Sequence, residues 1–170
     1  MNPNPFLTKI MFEPQLCQNG QFSVVADLDP IVPGHYMIYS RQWFPSIADC
    51  DYQNALRFLD DVFLPKVDSH YAYFERGRAS FCTSMQGVQH GHGHLVPQFS
   101  SDMTHLFPYG MVEIYDSLTE AYQHVARNGQ FLIWGNLNAE GYLINGVEDI
   151  PKRAIRNTIR AYYNDQRNVS

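Results

Sequence analysis

Residues 90 to 97 read His-Gly-His-Gly-His-Leu-Val-Pro. His90, His92 and His94 stand at alternate positions, and Val96 continues their parity. A strand has a side-chain period of two, so an extended segment projects all three imidazoles from one face. Histidine is also the side chain whose unperturbed pKa lies nearest working pH. Three readings of such a run are open. Two imidazoles at i and i+2 can share a zinc ion with a ligand from elsewhere. Three on one straight strand converge poorly, because the His90 and His94 Cα atoms stand roughly 13 Å apart at ~3.3 Å rise per residue. Zinc–nitrogen bonds are only about 2.0–2.1 Å long. A purely structural reading suits a single histidine better than three in strict alternation. The third reading is phosphoryl or nucleotidyl transfer. A neutral imidazole attacks phosphorus and forms a covalent intermediate, while a neighbouring imidazole gives a proton to the leaving group or binds a non-bridging oxygen.

The elements that must hold this run can be read from periodicity. Residues 6–12 and 22–28 read as strands joined by a turn at Asn19-Gly20. After Pro30, Pro33 and Gly34 break the chain, 35–40 reads as a third strand. Over 51–64 the period changes: Tyr52, Ala55, Leu56, Leu59, Val62 and Phe63 follow helical spacing, with Asp51 as cap and Pro65 as stop. Residues 71–75 and 89–96 give the fourth and fifth strands. Between them the segment 77–87 is a loop, and Gln86-Gly87-Val88-Gln89 enters the histidine run through a glycine that lets backbone N–H groups approach a ligand. Ser117-Leu118-Thr119-Glu120 is a capping-box signature for a helix closed by Asn128-Gly129. Residues 130–134 and 141–144 resemble a hairpin. A terminal helix opens near Pro151 and buries Ile155, Ile159 and Tyr162 or Tyr163. Strands dominate the first half and helices interrupt them, so the predicted class is α+β with an antiparallel sheet.

Composition narrows the function classes. A chain of 170 residues is most simply one domain. At that length folding buries about 70% of the unfolded chain's surface, so no staples are required. The net charge of −5 gives no general attraction to nucleic acid or anionic membrane. Three well-separated cysteines, Cys17, Cys50 and Cys82, argue against a disulfide framework and a cysteine zinc site. There is no basic, apolar leader at the N-terminus and no apolar run near 18 residues, so the chain reads as soluble and cytoplasmic. The stripe Arg153, Arg156 and Arg160 reads as a solvated helix face. His70, His105 and His124 have no pattern around them, and Cys82 reads as packing.

The run from Gln89 to Val96 resembles the signature of the histidine triad superfamily, three histidines alternating with apolar residues. Asp27-Leu28-Asp29-Pro30-Ile31-Val32-Pro33-Gly34-His35 is similar to that family's upstream stretch. Phe74-Glu75-Arg76-Gly77 resembles the Phe-Glu-His-Gly of one bacterial branch, and Ile150-Pro151-Lys152-Arg153 through Arg156 its C-terminal helix. The pieces span about residues 7 to 160, in order. The resemblance implies a five-stranded antiparallel sheet with flanking helices, often extended across a homodimer. It gives a motif-bearing core over about 7–100 and a helix-hairpin-helix extension over about 101–165. It further implies hydrolysis or transfer at a nucleotide α-phosphate, with His92 as nucleophile and a nucleotidyl-imidazole intermediate. His94 would face the phosphate or leaving group, and His90 and His35 would support the site. Asp27 would grip the ribose hydroxyls, Leu28 would pack on the base, and Gln86, Gly87 and Gln89 would form the phosphate loop. The implied ligand is a purine nucleotide or nucleotide conjugate, such as a nucleoside phosphoramidate or dinucleoside polyphosphate. No metal or other cofactor is needed.

The chain departs from the pattern at Gly91 and Gly93, where the family has bulk, and at Arg76, where the branch has histidine. The glycines face away from the histidines and need something large to fill the space; the aromatic-rich C-terminal region is the expected filler. They keep a non-catalytic nucleotide-binding module open beside the enzyme, and a histidine-based metal site remains the third alternative.

Overall fold

Asn19 turns the chain as its residue type predicts, its side chain accepting from the N–H groups of Gln21 and Phe22 at 2.8 and 2.7 Å. In this computed structural model, which describes residues 14–78, 90–99, 102–147, 150–151 and 153–169, that turn joins β1 (Gln15–Gln18) to β2 (Phe22–Ala26). The partner strand expected at 6–12 lies outside the described residues. Gly34, at φ 81°, leads into β3 (Tyr36–Ser40). A 3-10 turn (Ile47–Asp49) precedes α1 (Tyr52–Phe58), whose cap is Asp51, accepting from the Asn54 N–H at 3.1 Å. The predicted helix over 51–64 is α-helical only to Phe58. It widens to a π turn (Leu59–Phe63) and tightens to a 3-10 turn (Leu64–Lys66) that holds Pro65.

β4 (Tyr71–Gly77) and β5 (His92–Pro97) follow, then β6 (Glu113–Tyr115), α2 (Leu118–Gln123), the hairpin β7 (Phe131–Asn136) and β8 (Gly141–Asn145), and α3 (Ala154–Val169). The sheet is antiparallel, in the order β1-β2-β3-β5-β4-β7-β8-β6. The α+β class with an antiparallel sheet therefore holds, but the expected five strands become eight among the described residues. The added strands have a plain source: β7 pairs directly with β4, so the C-terminal hairpin and β6 extend the histidine-bearing sheet.

β5 lies in the interior of that sheet, between β3 and β4. Leu95, Tyr73 and Ile133 pack on one face with Leu56 and Leu59 of the helical segment and Tyr122 of α2. Phe74, Val96 and Trp134 pack on the other with Phe99, Ile155 and Ile159. His94 pairs in register with both Met37 and Phe74, and His92 with Tyr39, which puts the histidines on the α3 side. Arg76 anchors the approach to α3, donating to the carbonyls of Ile150 and Pro151 at 3.0 and 3.1 Å. The helix begins at Ala154 rather than near Pro151, because Arg153 sits in the left-handed region at φ 65°. No helix among the described residues is long and apolar enough to cross a membrane.

Candidate functional site

Each histidine of the run is held differently. His90 lies just ahead of β5, and its Nε2 donates to the Ser40 carbonyl at 2.5 Å. Gly91 fixes the backbone there, donating to Phe44 O at 2.6 Å and accepting from Ser40 N at 3.3 Å. His92 donates from Nδ1 to the His90 carbonyl at 2.7 Å. In a neutral ring the proton is then on Nδ1 and the lone pair on Nε2. Burial, followed by the charge of His94, pushes the His92 pKa down to about 4, so the ring is neutral at physiological pH. Burial also lowers His90, against the opposing pull of the Ser40 carbonyl.

His94 meets His35, which β3 delivers from its entry turn. His35 Nε2 lies 3.1 Å from His94 Nδ1, and the ring centroids are 5.2 Å apart. The Ile31 N–H donates to His35 Nδ1 at 3.2 Å, so that nitrogen is the acceptor and the His35 proton sits on Nε2. Nε2–H then points at His94 Nδ1, which accepts and leaves the His94 proton on Nε2. Burial, followed by the charge of His94, drives the His35 pKa down to about 3.

Asp27 lies beneath both rings. Its Oδ2 is 3.4 Å from His35 Nε2 and 3.5 Å from His94 Nδ1, and its side chain is 1% exposed. Burial alone would raise this carboxyl. The neighbouring His94 and His35 and the Arg156 guanidinium outweigh it and hold the group well below the usual carboxylate range.

Asp27, His35 and His94 also bring three potential metal-ligand atoms together. Separations of 3.1, 3.4 and 3.5 Å suit the edges of a tetrahedral zinc site. The donor chemistry does not. A zinc-bound His35 Nε2 would put the proton on Nδ1, facing the Ile31 N–H, whereas a metal-ligating imidazole gives its second N–H to an acceptor. Arg156 already takes both carboxylate oxygens. These residues fit a hydrogen-bond chain and not a metal.

No family model matches the chain, and no curated protein matches it. Among solved structures it is similar to SMU.412c from Streptococcus mutans UA159, at 14% identity and a TM-score of 0.39, with 100% of this chain and 87% of that chain covered.

Of the residues predicted for the site, the structure brings His35, His90, His92, His94 and Asp27 together. Asp27 faces inward: its Oδ1 accepts from Asp29 N at 2.9 Å and both oxygens accept from Arg156, so a cis-diol would have to displace Arg156 to reach it. Leu28, beside it in sequence, is 49% exposed. Gln86, Gly87, Gln89 and Cys82 lie outside the described residues. Sequence reasoning missed Arg156. The stripe assigned to solvent is mixed: Arg160 reaches no further than Asn157 of its own helix, whereas Arg156 crosses to the histidine site. The signal available was a basic residue on the buried-face turn next to Ile155.

Proposed function

We propose that the chain is a nucleotide hydrolase or nucleotidyl transferase of the histidine triad type, acting at a nucleotide α-phosphate through a nucleotidyl-His92 intermediate. The observation that carries this reading is the paired orientation of two rings. His92 gives its Nδ1 proton to the His90 carbonyl and has its lone pair on Nε2. The neighbouring His94, 5.3 Å away between centroids, has its proton on Nε2 because Nδ1 accepts from His35.

In the first step His92 Nε2 attacks the α-phosphorus. The P–N bond forms as the bond to the leaving group breaks; His94 Nε2–H hydrogen-bonds the departing atom and stabilises its developing charge, and the leaving group takes its proton from solvent. In the second step water attacks phosphorus, the P–N bond breaks, His92 leaves as the neutral imidazole with its proton on Nδ1, and the water's surplus proton passes to solvent as nucleoside monophosphate is released. The histidine triad resemblance supplies the substrate class, a purine nucleotide conjugate. The chain's own residues supply the nucleophile and the hydrogen-bond donor to the leaving group, and no step calls for a cofactor.

The test is release of nucleoside monophosphate from a nucleoside phosphoramidate and from a dinucleoside polyphosphate. His92→Ala should lower kcat/KM at least about 10³-fold, and His94→Ala about 10²–10³-fold. Because a neutral His92 is required, kcat/KM should be level from pH 7 down to about 5 and fall as His92 takes up a proton near its pKa of about 4. Equal turnover by wild type and His92→Ala would remove His92 as nucleophile. Tight binding of AMP by a wild type that turns over neither substrate would replace the enzyme with a binding module.

A further inference from the structure

A buried carboxylate needs a positive partner, and three groups stand near enough to serve Asp27: His35, His94 and Arg156. The distances choose among them. One guanidinium nitrogen of Arg156 lies 2.8 Å from each carboxylate oxygen, against 3.4 and 3.5 Å for the two imidazoles. The other terminal nitrogen donates to the Asp29 carbonyl at 2.8 Å, which fixes the fork on the loop between β2 and β3. A guanidinium cannot give up its proton, so the pair sums to zero charge and asks no imidazole to become a cation.

We propose that Arg156 is a positioning residue of the histidine site: by taking Asp27 as its own counter-ion, it keeps His35 and His94 in a single hydrogen-bond chain running from the Ile31 N–H to His94 Nε2. Without the guanidinium, Asp27 claims the nearest imidazole. Proton uptake there puts an N–H on His94 Nδ1 or on both nitrogens of His35, and the chain that orients His94 is lost. The C-terminal helix thus contributes to the site from 129 residues away in sequence.

The groups that face this pair come from four elements. The loop after β2 supplies Asp27 and Asp29, the turn into β3 supplies His35, β5 supplies His92 and His94, and α3 with its approach supplies Arg156 and Arg153. Among the described residues Arg153 approaches Asp29 alone, at 3.8 Å, and it is 55% exposed, so it serves as the control. The depression of the His35 pKa, caused first by burial and then by His94, includes a contribution from the charge of Arg156.

This inference rests on the proposed role of His94 for its consequence in catalysis, but its structural content is read without turnover. Nitrogen–proton correlation NMR of the full chain reports the tautomer and titration of each histidine. Wild type should show His35 protonated on Nε2 and neutral to about pH 3. Arg156→Gln keeps a donor against Asp27 but removes the charge. It should raise the His35 titration by at least about one pH unit, as expected when a carboxylate within 4–6 Å loses its neutralising cation. Arg156→Lys should move it back towards wild type, and Arg153→Gln should match wild type. A folded Arg156→Gln protein with wild-type tautomers and titration overturns the proposal. Should that variant not fold, Asp27→Asn carries the test: with no anion to claim its proton, His35 should titrate as low as in wild type or lower, and a rise overturns the proposal. Failure of wild type to release nucleoside monophosphate would count against the catalytic reading alone.

Discussion

At the scale of single residues, the two glycines between the histidines are places that neighbours already fill. A Cβ on Gly93 would lie 2.4 to 2.6 Å from the Tyr73 ring, and one on Gly91 would lie 2.7 Å from the Ser46 carbonyl carbon. The expected filler was the aromatic C-terminal region. The actual fillers are a tyrosine of β4 and the backbone of the segment that crosses behind β5. The difference between side chain and backbone sets the prediction. Alanine at either position overpacks the site by about 1–3 kcal/mol, with Gly91→Ala the worse because Ser46 backbone cannot rotate away. In a double-mutant cycle followed by urea unfolding, Tyr73→Leu should offset part of the cost of Gly93→Ala and none of that of Gly91→Ala. Equal coupling in both pairs would show that Tyr73 is not what Gly93 accommodates. The histidines themselves were legible because period two is a local pattern. Arg156 was not, since its bond to Asp27 joins residues 129 apart and its spacing from Arg153 and Arg160 is that of a solvated face.

At the scale of elements, local chemistry marked the starts better than the ends. Ser117 caps α2 as its motif predicts, accepting from Glu120 N at 3.1 Å, while Glu120 reaches back to Asp116 N at 3.0 Å. Ser117→Ala should cost about 1 kcal/mol in urea unfolding, and Asp51→Ala a similar amount at α1; a loss below a few tenths in both would mean that packing alone holds the two starts. The predicted end of α2 at Asn128-Gly129 is too late for a tertiary reason. Asn145 of β8 binds the His124 carbonyl at 3.0 Å and the Ala126 N–H at 2.8 Å, drawing the chain out of the helix after Gln123. β6 escaped notice because a three-residue edge strand that is largely exposed carries no alternation to read. β1 did so because its four residues pair with β2 through an irregular register. Strands that bury their pattern, β3, β4 and β5, were legible.

At the scale of the whole molecule, the histidine site and the opposite face of the sheet respond to pH in opposite senses. His35 and His92 titrate at about 3 and 4 when folded, below their ordinary 6.5. Between 6.5 and those values the unfolded chain takes up protons that the folded chain refuses, so stability is lost as pH falls through that window. Glu75 does the reverse. It is buried behind Gly91 and Gly93, accepting from Tyr122 OH at 2.6 Å and Ile47 N at 2.8 Å. Burial outweighs those two bonds and raises its pKa from 4.5 to about 7. From 4.5 upward the unfolded chain releases a proton that the folded chain retains, so stability is lost as pH rises to about 7, by on the order of 3 kcal/mol in all. Two imidazoles outweigh one carboxyl over most of the shared range, so these three groups together make stability climb with pH, most steeply around 4 to 5 and more gently towards neutrality. Glu75→Gln isolates the opposing contribution. Its advantage over wild type in urea unfolding should be small at pH 4.5 and widen towards pH 7.5, while a gap that stays constant across that range would show that folded Glu75 gives up its proton as readily as the unfolded chain. The site on the α3 face thus fixes the acid limit of the fold, and the carboxyl behind it sets how much stability is gained on the way to neutrality.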